Sequence, residues 1–319
     1  MGFIFSASYH NHQLGSDNIE AEWDYSNDDD QDGSAYTNEL QYRQYYIQRL
    51  RQSYSAALDF KLNKNNTLFL NGIYNHRNDW ENRYRTVYKD IEYDEDSNSW
   101  IGEMEKETKG GNEAIKNARL EDQRMMSFAF GGDHQFGNIK LDWTGSFSKA
   151  SEERPNERYI VFKAEDLTFA TDFSDKRLPK INSVSPASSA DFRDDYEFDE
   201  LTEEYQWTED IDQNFKVNLL IPMLNNNFKN SLKIGLRYKA KDKLRDNLLF
   251  EYSPVDEDGF IANSLNNLSD YSKDNFLPGD YRTAKQITNE YLGSLDLTNA
   301  SLFEEEAVAE AEAGDFTAR

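Results

Sequence analysis

A run of acidic residues near the N-terminus has the spacing of a calcium-binding loop. The stretch from Asp28 to Glu39 satisfies the pattern D-x-[DN]-x-[DN]-G-x5-E, with Gly33 at the turn position. In such a loop alternate carboxylates surround a hard cation, the glycine allows a sharp turn, and the last glutamate closes the shell with both oxygens. We therefore predict calcium as a cofactor, held by Asp28, Asp30, Asp32, the backbone carbonyl of Ser34 and Glu39. The alternative is a solvated run of charge, because the flanking segments are predicted strands and not helices.

Aromatic side chains form a second group of candidate functional residues, because they could stack against a sugar or a chelate. Trp100 is the best candidate for this role, since it lies in a predicted loop. The alternative is packing within a tall sheet or a girdle at a membrane interface. The residues that divide between the two interpretations are Tyr45, Tyr46, Trp80, Tyr84, Tyr88, Trp100 and Tyr159.

Catalytic motifs are absent from the sequence. It contains no nucleophile elbow, no phosphate-binding loop and no HExxH metal motif, and without cysteine it has no thiolate chemistry and no disulfides. His10 and His12 share one face of a predicted strand but have no third ligand, so we assign them to a polar rim. We predict that the chain is not an enzyme.

The charge of the chain limits its partners. It carries 60 acidic and 35 basic residues, a formal net charge of −25, with the acidic residues concentrated between the strand-like segments. Such a surface repels nucleic acid, so we expect no nucleic-acid partner. No run of 18 apolar residues occurs, which excludes a transmembrane helix.

Long segments with a period of two dominate the sequence. The clearest hairpin alternates Phe128 and Phe130 against small or polar residues, turns at Gly137-Asn138, and continues with Leu141 and Trp143 against Lys140 and Asp142. Seven segments share this pattern: 2–10, 40–62, 67–90, 118–136, 139–162, 200–223 and 229–250.

The connections between these segments alternate between long and short. They span about 29, 4, 27, 2, 37 and 5 residues, with boundaries that shift by a few residues. Outer-membrane barrels have this alternation, with short periplasmic turns and long extracellular loops. The pattern therefore predicts an all-β fold, an antiparallel up-and-down transmembrane β-barrel segment with about seven long strands.

Several stretches resemble the barrel of a TonB-dependent receptor. They include Asn71-Gly72-Ile73-Tyr74-Asn75, Gly131-Gly132-Asp133-His134-Gln135, Glu152-Glu153-Arg154-Pro155 and the run from Ala284 to Ala300 before an acidic helix predicted over 301–313. The resemblance implies import of a bulky ligand such as an iron chelate, oligosaccharide or peptide. It also implies a plug domain and the TonB complex as partners. The plug, the TonB box and the terminal aromatic strand of the family have no counterpart here, so we expect the chain to be an internal segment of a longer protein.

We therefore expect a partial outer-membrane β-barrel over 1–250 and a long extracellular loop with a short acidic helix over 251–319, in the bacterial outer membrane and in contact with its lipid. Two alternatives remain open. One is a passive porin-like channel, which would lack a plug. The other is a soluble, secreted all-β binding or adhesion protein. The latter predicts an interior position for Leu58, Phe60, Phe128, Phe130, Trp143, Phe147, Leu219 and Leu236.

Overall fold

The computed structural model describes residues 1–25, 35–186, 196–225, 228–277 and 279–307, which form antiparallel β-structure with two short α-helices. In chain order the strands are β1 (Gly2–Tyr25), β2 (Ala35–Asn63), β3 (Asn66–Asp94), β4 (Ser99–Gly111), β5 (Arg119–Phe136), β6 (Ile139–Asp172), β7 (Lys180–Ser185), β8 (Glu197–Asn225), β9 (Phe228–Pro254), β10 (Leu268–Asp270), β11 (Lys285–Ile287) and β12 (Phe303–Ala307). The helices are α1 (Glu257–Leu265) and α2 (Asn289–Ser294), and Glu113–Ile115 forms a 3-10 turn.

One antiparallel sheet of ten strands contains all but β10 and β11, in the order β1-β2-β3-β4-β6-β8-β9-β12. β4 and β5 lie end to end between β3 and β6, so these four strands form a closed ring of pairings. β7 pairs with β6. The predicted all-β antiparallel class is confirmed. Six of the seven predicted segments lie inside β1, β2, β3, β6, β8 and β9, and the segment 118–136 begins one residue before β5. The structure adds β4, β7 and β12 to the same sheet.

The short connections lie together at one end of the sheet, which we call the lower end. At the β2–β3 turn the Asn63 side chain accepts hydrogen bonds from Asn65 N at 2.9 Å and from Asn66 Nδ2 at 2.8 Å. At the β5–β6 turn Gly137 has a φ of +60°, a left-handed conformation that glycine adopts without steric cost. These local interactions explain why two-residue connections suffice to reverse such long strands.

The upper end of the sheet is more regular than the sequence predicts. β1 continues to Tyr25 and β2 begins at Ala35, so most of the predicted first long loop is strand. The predicted second loop contains β4, which forms a hairpin with β3. The alternation of apolar and polar residues fades in these stretches, but the backbone ladder does not depend on side-chain polarity.

Residues 255–302, which we call the cap, connect β9 to β12 and contain α1, α2 and the β10–β11 hairpin. The Asp256 side chain caps α1 by accepting from Gly259 N at 3.1 Å. The prediction of an acidic helix over 301–313 is wrong for the residues that the structure describes, because Phe303–Ala307 is a strand paired with β9. Pairing with β9 satisfies the backbone hydrogen-bonding groups of these residues, whereas an isolated short helix would have only marginal stability.

The hydrophobic core lies between the cap and the upper half of one sheet face. The sheet contributes large side chains such as Tyr42, Met104 and Phe162, and the cap contributes Phe276 and Tyr281, all of them buried. Burial of such side chains contributes about 1.5–3 kcal/mol each. The cap is therefore a packed layer over the sheet and not an unstructured loop.

Candidate functional site

The lower half of the same sheet face carries a continuous apolar surface. In one row of paired residues Phe3, Leu58, Leu70 and Phe130 follow each other across β1, β2, β3 and β5, and the row ends at Tyr238 on β9. Paired residues of antiparallel strands project from the same face, so the row marks one surface. We call this surface the apolar band: Phe3, Phe5, Tyr54, Leu58, Phe60, Leu68, Leu70, Tyr74, Met126, Phe128, Phe130, Leu141, Trp143, Phe147, Ile211, Phe215, Val217, Leu219, Leu232, Ile234, Leu236 and Tyr238.

No described residue covers the apolar band. Phe128 is 49% exposed and Leu236 is 66% exposed, although both are large apolar side chains in the middle of strands. None of the eight side chains that the soluble alternative places in an interior is buried. A contiguous apolar surface of this extent marks contact with lipid or with another protein.

The apolar band extends over seven positions on β3, from Leu68 to Tyr74, over seven on β6, from Leu141 to Phe147, and over nine on β8, from Ile211 to Leu219. A transmembrane β-strand needs about 9–11 residues to cross the hydrocarbon core. Polar groups flank the band at both ends. At its upper end Lys149 pairs with Glu209 at 2.6 Å, and at its lower end Trp143 Nε1 donates to His134 Nε2 at 3.1 Å.

The opposite sheet face is polar and carries a network of cross-strand ion pairs, centred on two buried carboxylates. Glu157 is 3% exposed and binds Lys109 Nζ at 2.8 Å and Arg119 Nε at 3.1 Å. Glu107 accepts from Arg83 Nη2 at 2.6 Å and from Arg85 Nη2 at 2.5 Å. We call this face the polar face.

These contacts determine the pKa values of the carboxylates on the polar face. Burial alone would raise the pKa of Glu157, but Lys109 and Arg119 outweigh it and hold that pKa below its ordinary value. Glu200 has no cation partner among the described residues. Burial raises its pKa, and the nearby carboxylates of Glu107 and Glu251 raise that pKa further. The two glutamates therefore have opposite electrostatic environments on one surface.

A cavity of about 520 Å³ opens on the polar face. Its lining residues come from six strands, with Arg51 on β2 at one side and Lys243 on β9 at the other. Five strand spacings of about 4.8 Å would separate these residues by about 24 Å in a flat sheet. A shared cavity therefore indicates that the sheet curves around its polar face, as in a barrel-like wall.

The structure places Trp100 in a cluster of rings at the upper end. Its ring centroid lies 5.4 Å from that of Tyr36, 5.4 Å from that of Tyr93 and 5.5 Å from that of Phe173. Trp100 is partly exposed, so one part of its ring packs within the cluster while another remains accessible. Its predicted role in ligand stacking stays a prediction.

The calcium prediction falls mostly outside the described residues. Asp28, Asp30, Asp32 and Ser34 belong to the stretch 26–34, which lies outside the described ranges. Glu39 lies in β2, where its carboxylate accepts a hydrogen bond from the Gln41 side chain. Across the described ranges no three His, Asp or Glu side chains are grouped so as to hold a metal ion. Calcium binding stays a prediction.

Sequence reasoning missed the anchoring of the cap. Arg158 of β6 is buried, and its Nη1 donates to the backbone oxygens of Leu292 at 3.2 Å, Gly293 at 3.3 Å and Leu295 at 2.9 Å. Its Nε donates to Glu203 at 2.6 Å. No local pattern signals a contact that spans more than 130 residues of sequence.

Comparison with known proteins gives no relative: no family model, no curated protein and no solved structure matches this chain. Among the described residues, neither helix has the length and apolar character required to cross a membrane. The functional argument therefore depends on the two faces of the sheet.

Proposed function

We propose that this chain forms part of the wall of an outer-membrane β-barrel that takes up a bulky ligand, in the manner of a TonB-dependent receptor. The observation that carries the proposal is the uncovered apolar band, whose seven to nine positions on β3, β6 and β8 approach the about 9–11 residues with which a β-strand crosses the hydrocarbon core of a bilayer. In this function the band contacts lipid, and the polar face lines the lumen and contacts a plug domain.

The height of the sheet above the apolar band favours a receptor and not a barrel with a short wall, such as a simple channel. β6 is 34 residues long and β3 is 29, so both strands continue far beyond the band. Tall walls of this kind form a vestibule in which a ligand can be captured before transport. The role proposed for the chain is transport and not catalysis.

Tryptophan fluorescence tests the proposal, because the tryptophans lie at different heights. Trp143 lies within the apolar band, while Trp100 lies at the upper end of β4. The full chain is refolded into lipid vesicles as two variants, each with four Trp→Phe substitutions, that retain only Trp143 or only Trp100. Lipids brominated in the middle of their acyl chains then quench any tryptophan that reaches the hydrocarbon core.

We expect the emission of Trp143 to be strongly quenched and that of Trp100 to be unaffected. Circular dichroism confirms that both variants keep their β-structure before quenching is compared. Equal quenching of the two residues, or a folded chain that stays in solution when vesicles are sedimented, would contradict the proposal. The second result would favour the soluble binding protein.

A further inference from the structure

The most unusual charge distribution in the described chain lies on β9. Between Lys233 and Arg245, basic side chains occupy every position on the polar face of this strand except Gly235. We call them the β9 basic track: Lys233, Arg237, Lys239, Lys241, Lys243 and Arg245. At about 3.4 Å per residue the track extends about 40 Å. It runs from the level of the apolar band to the cavity on the polar face.

The acidic neighbours of the track neutralise only part of it. Lys241 pairs with Asp210 at 2.7 Å, and Lys239 contacts Asp212 at 3.4 Å. Lys233, Lys243 and Arg245 form no ion pair within the described ranges. In a chain with a net charge of −25, this strand is a local excess of positive charge.

The cavity at the upper end of the track adds a second wall of hydrogen-bond donors. Arg51 lines it from β2 and, like Lys243, makes no ion pair with the described residues. The Asn75 side-chain oxygen accepts a hydrogen bond from the Ser53 hydroxyl, and its amide nitrogen has no acceptor among the described residues. The carboxylate of Asp210, by contrast, is held by Lys241. The other charged groups of the lining are paired as well, Arg77 with Glu121, Arg124 with Asp122 and Glu152 with Arg154. Two cations and an amide therefore remain available to a ligand among these described lining residues.

We propose that this cavity binds a small multivalent anion with carboxylate or phosphate groups between Arg51 and Lys243, and that the β9 basic track extends the anion-binding surface along the wall. The volume of about 520 Å³ lies in the range of small-molecule sites. Guanidinium and ammonium groups on opposite walls select for charge at both ends of the ligand. Binding needs only the folded sheet, whereas a role in uptake rests on the proposed function.

Isothermal titration calorimetry on the full chain in detergent micelles tests the inference. Citrate and pyrophosphate are the two probes, and sorbitol is the uncharged blank. The test variant is Arg51→Gln with Lys243→Gln. The control is Lys64→Gln with Lys176→Gln, which removes the same charge from two exposed turn residues outside the cavity.

We expect at least one anion to bind, with an affinity that falls as salt is added. The cavity variant should bind at least tenfold more weakly, and the control should bind like the wild type. Binding of citrate alone identifies a carboxylate ligand, and binding of pyrophosphate alone identifies a phosphate ligand. Absence of binding for both anions, or equal losses in the two variants, would overturn the inference.

The fluorescence and calorimetry experiments can refute the two proposals separately. A chain that inserts into vesicles but binds neither anion keeps the proposed function and loses the anion site. A chain that binds the anions but stays out of vesicles keeps the site and loses the outer-membrane function.

Discussion

Replacement of Arg158 by methionine should release the cap from the sheet. Methionine keeps much of the length and apolar volume of the side chain but removes the guanidinium group, which is only 7% exposed. The substitution leaves the carbonyl groups of Leu292, Gly293 and Leu295 without their donor, and the carboxylate of Glu203 without its cation.

The magnitude follows from these contacts. Breaking a buried ion pair by removing one partner costs about 3–5 kcal/mol. Two of the three carbonyl contacts, at 3.2 and 3.3 Å, are long and share one nitrogen with the third, so we add no separate energy for them. We therefore expect the free energy of cap opening to fall by about 3–5 kcal/mol, which corresponds to an opening equilibrium about 150- to 4,000-fold more favourable.

Hydrogen exchange measures this opening directly. The amide of Leu292, which donates to Thr288 O at 3.1 Å, should lose protection in Arg158→Met. Amides of the β5–β6 ladder, far from the cap, should keep theirs. Arg177→Met is the matched control, because Arg177 is exposed and its side chain forms no ion pair with described residues. Protection of Leu292 that is equal in the two variants would refute the role given to Arg158.

The remaining predictions concern the polar face and one close backbone approach. Glu157→Gln should lower the free energy of unfolding at pH 7. The depressed pKa of Glu157 means that its contribution is complete above the ordinary pKa of a glutamate and is lost as the pH falls through the depressed value. Glu200→Gln should have the opposite effect at pH 7, because burial raises the pKa of Glu200 and its charged form destabilises the fold. Urea unfolding from pH 3 to pH 8 checks both signs, and equal effects of the two variants would contradict them. Gly131→Ala should destabilise by about 1–3 kcal/mol, because its Cβ would lie 2.5 Å from Trp143 O. Gly2→Ala, with no atom within 4 Å, is its control in the same urea titration, and a neutral Gly131→Ala would contradict the assigned clash.

The sequence predicts those parts of the fold that depend on local pattern. Strict alternation from Phe128 to Trp143 identifies both strands, the turn between them and the two faces. The pattern fails where the strand contains an irregularity. Between Arg154 and Glu157 the register of β6 against β8 shifts, so the residues that face the cap have the opposite parity from those in the apolar band. A reader of the sequence who continued the alternation would therefore place Arg158 on the polar face.

The cap and the ion-pair network depend on contacts that local pattern cannot encode. The sequence predicts a helix where β12 forms, since acidic residues and alanine favour helix in isolation and the pairing partner is β9, about 50 residues earlier. Similarly, the carboxylates of Glu107 and Glu157 look like ordinary surface charges until the register brings Arg83, Lys109 and Arg119 beside them. Tertiary pairing decides which charges become buried.

The boundary between the cap and the apolar band divides one sheet face into a covered half and an uncovered half. Under the cap the face contains Lys106, whose Nζ donates to Thr86 Oγ1 at 3.1 Å and to Thr283 O at 2.9 Å. A lysine at this position needs acceptors, and the cap backbone supplies one of them. Within the apolar band, the three rows of paired residues that pass through Phe60, Leu58 and Phe5 contain no charged side chain. If the band contacts lipid, the lower edge of the cap must lie above the hydrocarbon core, because a cap pressed into lipid would leave its own exposed polar backbone unsatisfied. The same sheet face is thus divided by the polarity of its residues into a part that requires a protein cover and a part that does not.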